Sequence, residues 1–77
     1  VKGGEFMNVI ATGEALKRLR GEKSREEVAF ANKISVSALA MYESGKRMPR
    51  DEIKMALANY YGVSIESLFF APEVHTV

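Results

Sequence analysis

The side chains able to do chemistry in this sequence are mostly cations, and they fall in two groups. Lys17, Arg18, Arg20, Lys23 and Arg25 crowd one short stretch with only Glu22 against them, and Lys46, Arg47 and Arg50 form the second. Ammonium and guanidinium groups at this density attract phosphate or carboxylate, although each group alone also fits a solvated helix face. The net charge of +1 conceals the asymmetry, because no lysine or arginine follows Lys54 while Glu66 and Glu73 do. The carboxylate pairs Glu26/Glu27 and Asp51/Glu52 lie where helices start, so the helix dipole accounts for them without acid–base catalysis. With no cysteine and one histidine, His75, the chain has no thiol chemistry, no disulfide and a poor ligand set for zinc. It contains no glycine-rich phosphate loop and no histidine beside a serine or carboxylate in a catalytic pattern. The expectation is a non-enzyme with no cofactor and no small-molecule ligand.

These cations must be positioned by a small scaffold. Seventy-seven residues allow one domain, which buries only roughly 60% of its unfolded surface. A hydrophobic share of 47% and a charged share of 27% are those of a folded domain. No apolar run approaches the ~20 residues of a membrane span, and the start of the chain lacks the apolar stretch of a signal peptide. The expected compartment is the cytoplasm, with no membrane partner. Residues 1–6 read as a cloning remnant, 7–70 as the domain and 71–77 as a tail.

Five short helices account for the domain, with no convincing strand, so the fold class is all-α. The first runs from an N-cap at Thr12, with Glu14 in its first turn, to Arg20, and buries a stripe of Ala15, Leu16 and Leu19. Gly21 ends it. Ser24-Arg25-Glu26-Glu27 is a capping box that opens a second helix reaching Asn32. Ser35 caps a third helix, 36–44, whose Leu39 and Tyr42 are spaced for burial, and Gly45 stops it. Beyond Pro49, Asp51 begins a fourth helix with Ile53, Leu57 and Tyr61 at fourfold spacing. Ser64 caps the last, which holds Ile65, Leu68 and Phe69. Helices this short depend on tertiary packing.

The connection between the second and third helices is the most informative spacing. Only Lys33 and Ile34 separate the end of one from the cap of the next. Such a joint makes the helices cross steeply, with small Ala29 allowing close approach and Ile34 plugging the corner. Two readings fit: a helix-turn-helix whose second member enters a major groove, or an ordinary corner in a helical bundle.

Longer motifs favour the first. Leu16-Lys17-Arg18-Leu19-Arg20, Ser24 to Ala29, Ile34 to Leu39, Tyr42 to Pro49 and Tyr61 to Phe69 follow one another in an order and spacing that resembles the phage-repressor/Cro (Xre) type of helix-turn-helix domain over residues 12–69. The resemblance implies a compact five-helix, lambda-repressor-like domain and a DNA-binding transcriptional regulator of repressor type. It places Val36, Ser37, Ala38, Ala40 and Met41 against bases. It also implies phosphate contacts from Arg25, Ser35, Tyr42, Lys46, Arg47 and Arg50, and a structural ion pair between Arg20 and Glu43. The implied partner is double-stranded DNA, bound by a homodimer with recognition helices ~34 Å apart. Phe69 and Phe70, adjacent aromatics on one short helix, are the candidate dimer interface.

Three departures from the family's pattern matter. Asn32 and Lys33 replace a usual leucine and glycine, so the turn must accept a side chain in a conformation that favours glycine, and Asn32 needs a hydrogen bond. The connection between the first two helices is about two residues shorter than the common form. The recognition helix offers no arginine, lysine, asparagine or glutamine for bidentate base readout, leaving thymine-methyl contacts and the Ser37 hydroxyl. That apolar helix also suits a protein-interaction module, antitoxin-like or anti-regulator, that uses the fold without an operator.

Overall fold

The structure, a computed structural model, describes residues 8–69. Its helices are α1 (Val9–Arg20), α2 (Arg25–Ala31), α3 (Val36–Glu43), α4 (Asp51–Tyr61) and α5 (Ile65–Phe69). The remnant assigned to residues 1–6, the tail at 71–77 with His75, and Phe70 lie outside the described residues. All-α architecture therefore holds among the described residues, with α3 packed on α1 and α2, and α5 packed on α1 and α4.

Serine caps set most of the helix starts. Ser24 Oγ accepts from the Glu27 amide at 3.0 Å, Ser35 Oγ from Ala38 at 3.0 Å, and Ser64 Oγ from Ser67 at 3.1 Å. α1 is the exception to the expected starts. Its cap is Asn8, whose Oδ1 accepts from the amides of Ile10 and Ala11 at 3.1 and 3.0 Å, one turn before Thr12. Asparagine and threonine cap comparably well, but Thr12 is needed inside. It is buried, and its hydroxyl donates to the Leu68 carbonyl at 3.3 Å, tying α1 to α5. Glu14 consequently falls beyond the first turn.

Extending α1 places Gly13 in a helix interior, where it costs about 1 kcal/mol relative to alanine. The position has a packing reason. A Cβ there would stand 2.6 Å from the Glu43 carbonyl oxygen and 2.7 Å from that of Tyr42. The end of α3 thus rests directly on the α1 backbone, and Thr12, Gly13 and Leu16 form the inward face of α1. Leu19 lies outside that face and is exposed.

The core joins all five helices through Leu16, Val28, Ala29, Leu39, Tyr42, Leu57, Ala58, Leu68 and Phe69. Burying a large apolar side chain contributes about 1.5–3 kcal/mol, and this shared cluster is what holds helices too short to persist alone. Phe69 is 0% exposed, which removes it from the proposed dimer interface. α5 is wedged between α1 and α4, so neighbouring positions on its single turn, Leu68 and Phe69, both meet another helix. Above the Phe69 ring sits buried Lys54, its Nζ 5.9 Å from the ring centroid and 3.5 Å from Asp51 Oδ1.

Candidate nucleic-acid interface

The helix-turn-helix joint is closed by backbone hydrogen bonds. The Ile34 amide donates to the Ala29 carbonyl at 3.0 Å and the Lys33 amide to that of Phe30 at 3.2 Å, the paired bonds of a Schellman cap. Lys33 occupies its left-handed position at φ 59°. Asn32 Nδ2 donates to the Val28 carbonyl at 2.8 Å, meeting the need created by placing an amide where the family has leucine. Ile34 packs against the core from the corner, and Ala29 is fully enclosed.

This joint fixes which way α3 faces. Leu39, Tyr42 and Glu43 point inward. At about 100° per residue, Ser37 and Met41 fall on the opposite face with Ala40 at its edge, while Val36, seven residues before Glu43, lies over the inward side in the open first turn. Val36 is 39% exposed, Ser37 is exposed, and Ala40 and Met41 are half-buried. Ala38 departs from the set assigned to bases: it lies about 40° from Tyr42 around the helix and packs against the core.

A second Schellman cap ends α3, with the Lys46 amide donating to Met41 at 3.0 Å and Gly45 to Tyr42 at 3.3 Å. Lys46 and Arg47 leave the helix from this fixed point, and both are exposed, as is Arg50. Arg47 and Arg50 share with Lys33, Ser35 and Tyr42 a cleft of about 460 Å³ beside the start of α3. Tyr42, assigned to phosphate, is 9% exposed and belongs to the core, although it lines this cleft.

The first cationic group does not gather on that side. Arg18 lines a different cleft with Ala15, Leu19, Val63, Ser67 and Leu68. Arg20 and Arg25 both turn toward Glu43, whose side chain is fully buried. Arg20 Nε donates to Oε2 at 2.7 Å and Arg20 Nη2 to Oε1 at 3.0 Å, while Arg25 Nε donates to Oε1 at 3.0 Å. Arg20 Nη1 also donates to the Lys23 carbonyl at 3.0 Å, bracing the short α1–α2 connection. Arg25, assigned to phosphate, gives its Nε to Glu43 while 40% of its side chain stays exposed. A buried carboxylate next to α2 draws this guanidinium into an ion triad that ties α1, α2 and α3 together.

Burial alone pushes the Glu43 carboxyl up. The hydrogen bonds from Arg20 and Arg25, reinforced by their charges, outweigh it and hold the group below the usual carboxylate range. The bond to Glu43 raises Arg20 in turn, against some desolvation. Tyr61 is pushed up to about 12 by burial and by the Glu43 charge, and its hydroxyl is enclosed without a hydrogen-bond partner.

Some contributors escaped the sequence reading. With a helix expected to start at Thr12, Gly13 falls at its first position, and it stands out as an interior glycine only once Asn8 starts the helix. Lys33 was marked only as a departure in the turn. Phe30 on α2, 86% exposed, gave no signal, since an apolar residue in an amphipathic helix is expected inside. Among the described residues no group of histidine or acidic side chains is arranged to hold a metal ion. No described helix is long and apolar enough to cross a membrane.

Comparison with known proteins agrees with this geometry. The family model described as helix-turn-helix matches residues 15–68, which include the joint, the ion triad and both Schellman caps. No curated protein matches the chain. Among solved structures, the chain is similar to the restriction-modification controller protein C.AhdI from Aeromonas hydrophila. The two share 27% identity with a TM-score of 0.71, over 79% of this chain and 96% of that one. On the match over most of its length, the chain belongs to the Xre-type helix-turn-helix family of DNA-binding transcriptional regulators.

Proposed function

We propose that residues 7–70 form a sequence-specific, cytoplasmic regulator of repressor type that lays α3 in the DNA major groove as a homodimer. The observation that carries this reading is the solvent-reaching surface of α3, Ser37, Ala40 and Met41 with Val36 in the first turn, together with exposed Lys46 and Arg47 leaving the capped end of the helix. The apolar members and the Ser37 hydroxyl suit thymine methyls and an adaptable base edge, while the cations and Ser35 suit phosphate. Likeness to a restriction-modification controller supports a regulatory role of that kind.

Binding to random duplex DNA tests the reading. With about five phosphate contacts, affinity is expected to fall by a few hundred-fold between roughly 50 and 200 mM salt. Arg47→Ala is expected to weaken all duplexes alike, whereas Met41→Ala changes the ranking of sequences selected from a random pool. Equal effects of both changes on every duplex would contradict these roles.

With Phe69 inside, the described surface that suits self-association lies on α4 and α5, where Met55 is 58% exposed beside Ala56, Val63 and Ile65. Sedimentation at micromolar concentrations is expected to show a dimer that Met55→Glu dissociates without lowering helicity. A monomeric wild-type protein would remove the paired-site geometry.

Exposed Phe30 and the apolar α3 favour a second reading, a protein-interaction module without an operator. It predicts little affinity for duplex DNA even at low salt.

A further inference from the structure

We infer that Lys33, in the turn between α2 and α3, is a phosphodiester ligand of the DNA-binding face. The inference rests on the DNA-binding reading above and adds to it a residue that the turn's geometry alone does not call for. The positive-φ positions after α1, α3 and α4 are Gly21, Gly45 and Gly62. Lys33 is the one non-glycine residue at positive φ among the described residues, so here a side chain stands where this chain otherwise uses none.

That side chain sits in a telling place. Lys33 is exposed and forms no ion pair among the described residues. It lines the 460 Å³ cleft together with Arg47 and Arg50, and no acidic residue lines that cleft. In sequence, Lys33 precedes α3 while Arg47 and Arg50 follow it, so cations from both ends of the recognition helix converge on one concavity. Three like charges lining one cleft with no acidic neighbour give it a positive potential that favours an anion. A backbone phosphate flanking the groove that receives α3 supplies that charge, and the lysine strengthens its capture.

The test sets stability against binding. Lys33→Gly and Lys33→Gln are compared with the wild type by thermal melting and by anisotropy titration of a random-sequence duplex across a salt series. Both variants are expected to bind about five- to tenfold more weakly near 0.1 M salt, with the log–log salt slope reduced by about 0.9. Lys33→Gly should melt at the wild-type temperature or a few degrees above it, because glycine relieves the left-handed backbone, so its lost affinity is not lost folding. Wild-type affinity and slope in both variants would overturn the role of Lys33 while leaving DNA binding intact. Absence of salt-dependent binding by the wild type would instead overturn the DNA-binding reading, and this inference with it.

Discussion

Replacing Arg20 with methionine is expected to cost about 3–5 kcal/mol, the range for stranding one partner of a buried ion pair. That is a large share of the roughly 4–12 kcal/mol typical for a domain of this length. Arg20 contributes two of the three hydrogen bonds that neutralise Glu43. Arg25 contributes one and is 40% exposed, so Arg25→Met should cost only about 1 kcal/mol. The pH dependence gives a second readout. In the wild type the Glu43 pKa is depressed, so its stabilising share is present above the ordinary carboxylate value and is lost as pH falls through the lowered one. Without Arg20, burial dominates and the Glu43 pKa rises, so protonation relieves the variant. The stability gap between wild type and Arg20→Met should therefore begin to narrow as pH falls through the variant's raised Glu43 pKa, above the ordinary carboxylate value, and go on narrowing down to the depressed wild-type one. Urea melts showing the same gap in acid as at neutrality would refute this account of the triad.

Gly13→Ala should destabilise although helix propensity alone predicts a gain of about 1 kcal/mol. The obstacles to its Cβ are carbonyl oxygens of Tyr42 and Glu43, and backbone atoms cannot swing aside as a side-chain tip would. The change must lift the end of α3 from α1, at an expected cost of about 2–3 kcal/mol. Because Glu43 and the segment from Lys46 leave from that same end, duplex binding should weaken as well. A rise in melting temperature for Gly13→Ala would show that the contact between α1 and α3 is looser than described.

The helix order was readable because serine caps and glycine or proline stops mark nearly every boundary, and those are local interactions. Asn8 and Thr12 show where local chemistry runs out. Both residues cap well, and the choice depends on a carbonyl at Leu68, far along the chain. Arg25 is a related case: the start of α2 points equally well to phosphate or to Glu43, and only the fold brings the buried carboxylate within 3.0 Å. Leu39 and Tyr42 disclosed the inner face of α3 by their size, whereas Ala38 is too small to declare a side. Phe69 was misplaced because two adjacent aromatics look incompatible with one interior until α5 is seen between two helices. The tight joint, by contrast, is readable from Lys33 and Ile34, the two residues between Asn32 and the Ser35 cap, since its tightness follows from chain length alone.

The first turn of α1 also lies against the loop after α3: a Cβ on Gly45 would come within 3.1 Å of Ile10 Cγ1 and 3.5 Å of the Val9 carbonyl oxygen. Anything joined upstream of Asn8 therefore has a mechanical lever on Lys46 and Arg47. A fluorophore or affinity handle attached at that end should perturb DNA measurements.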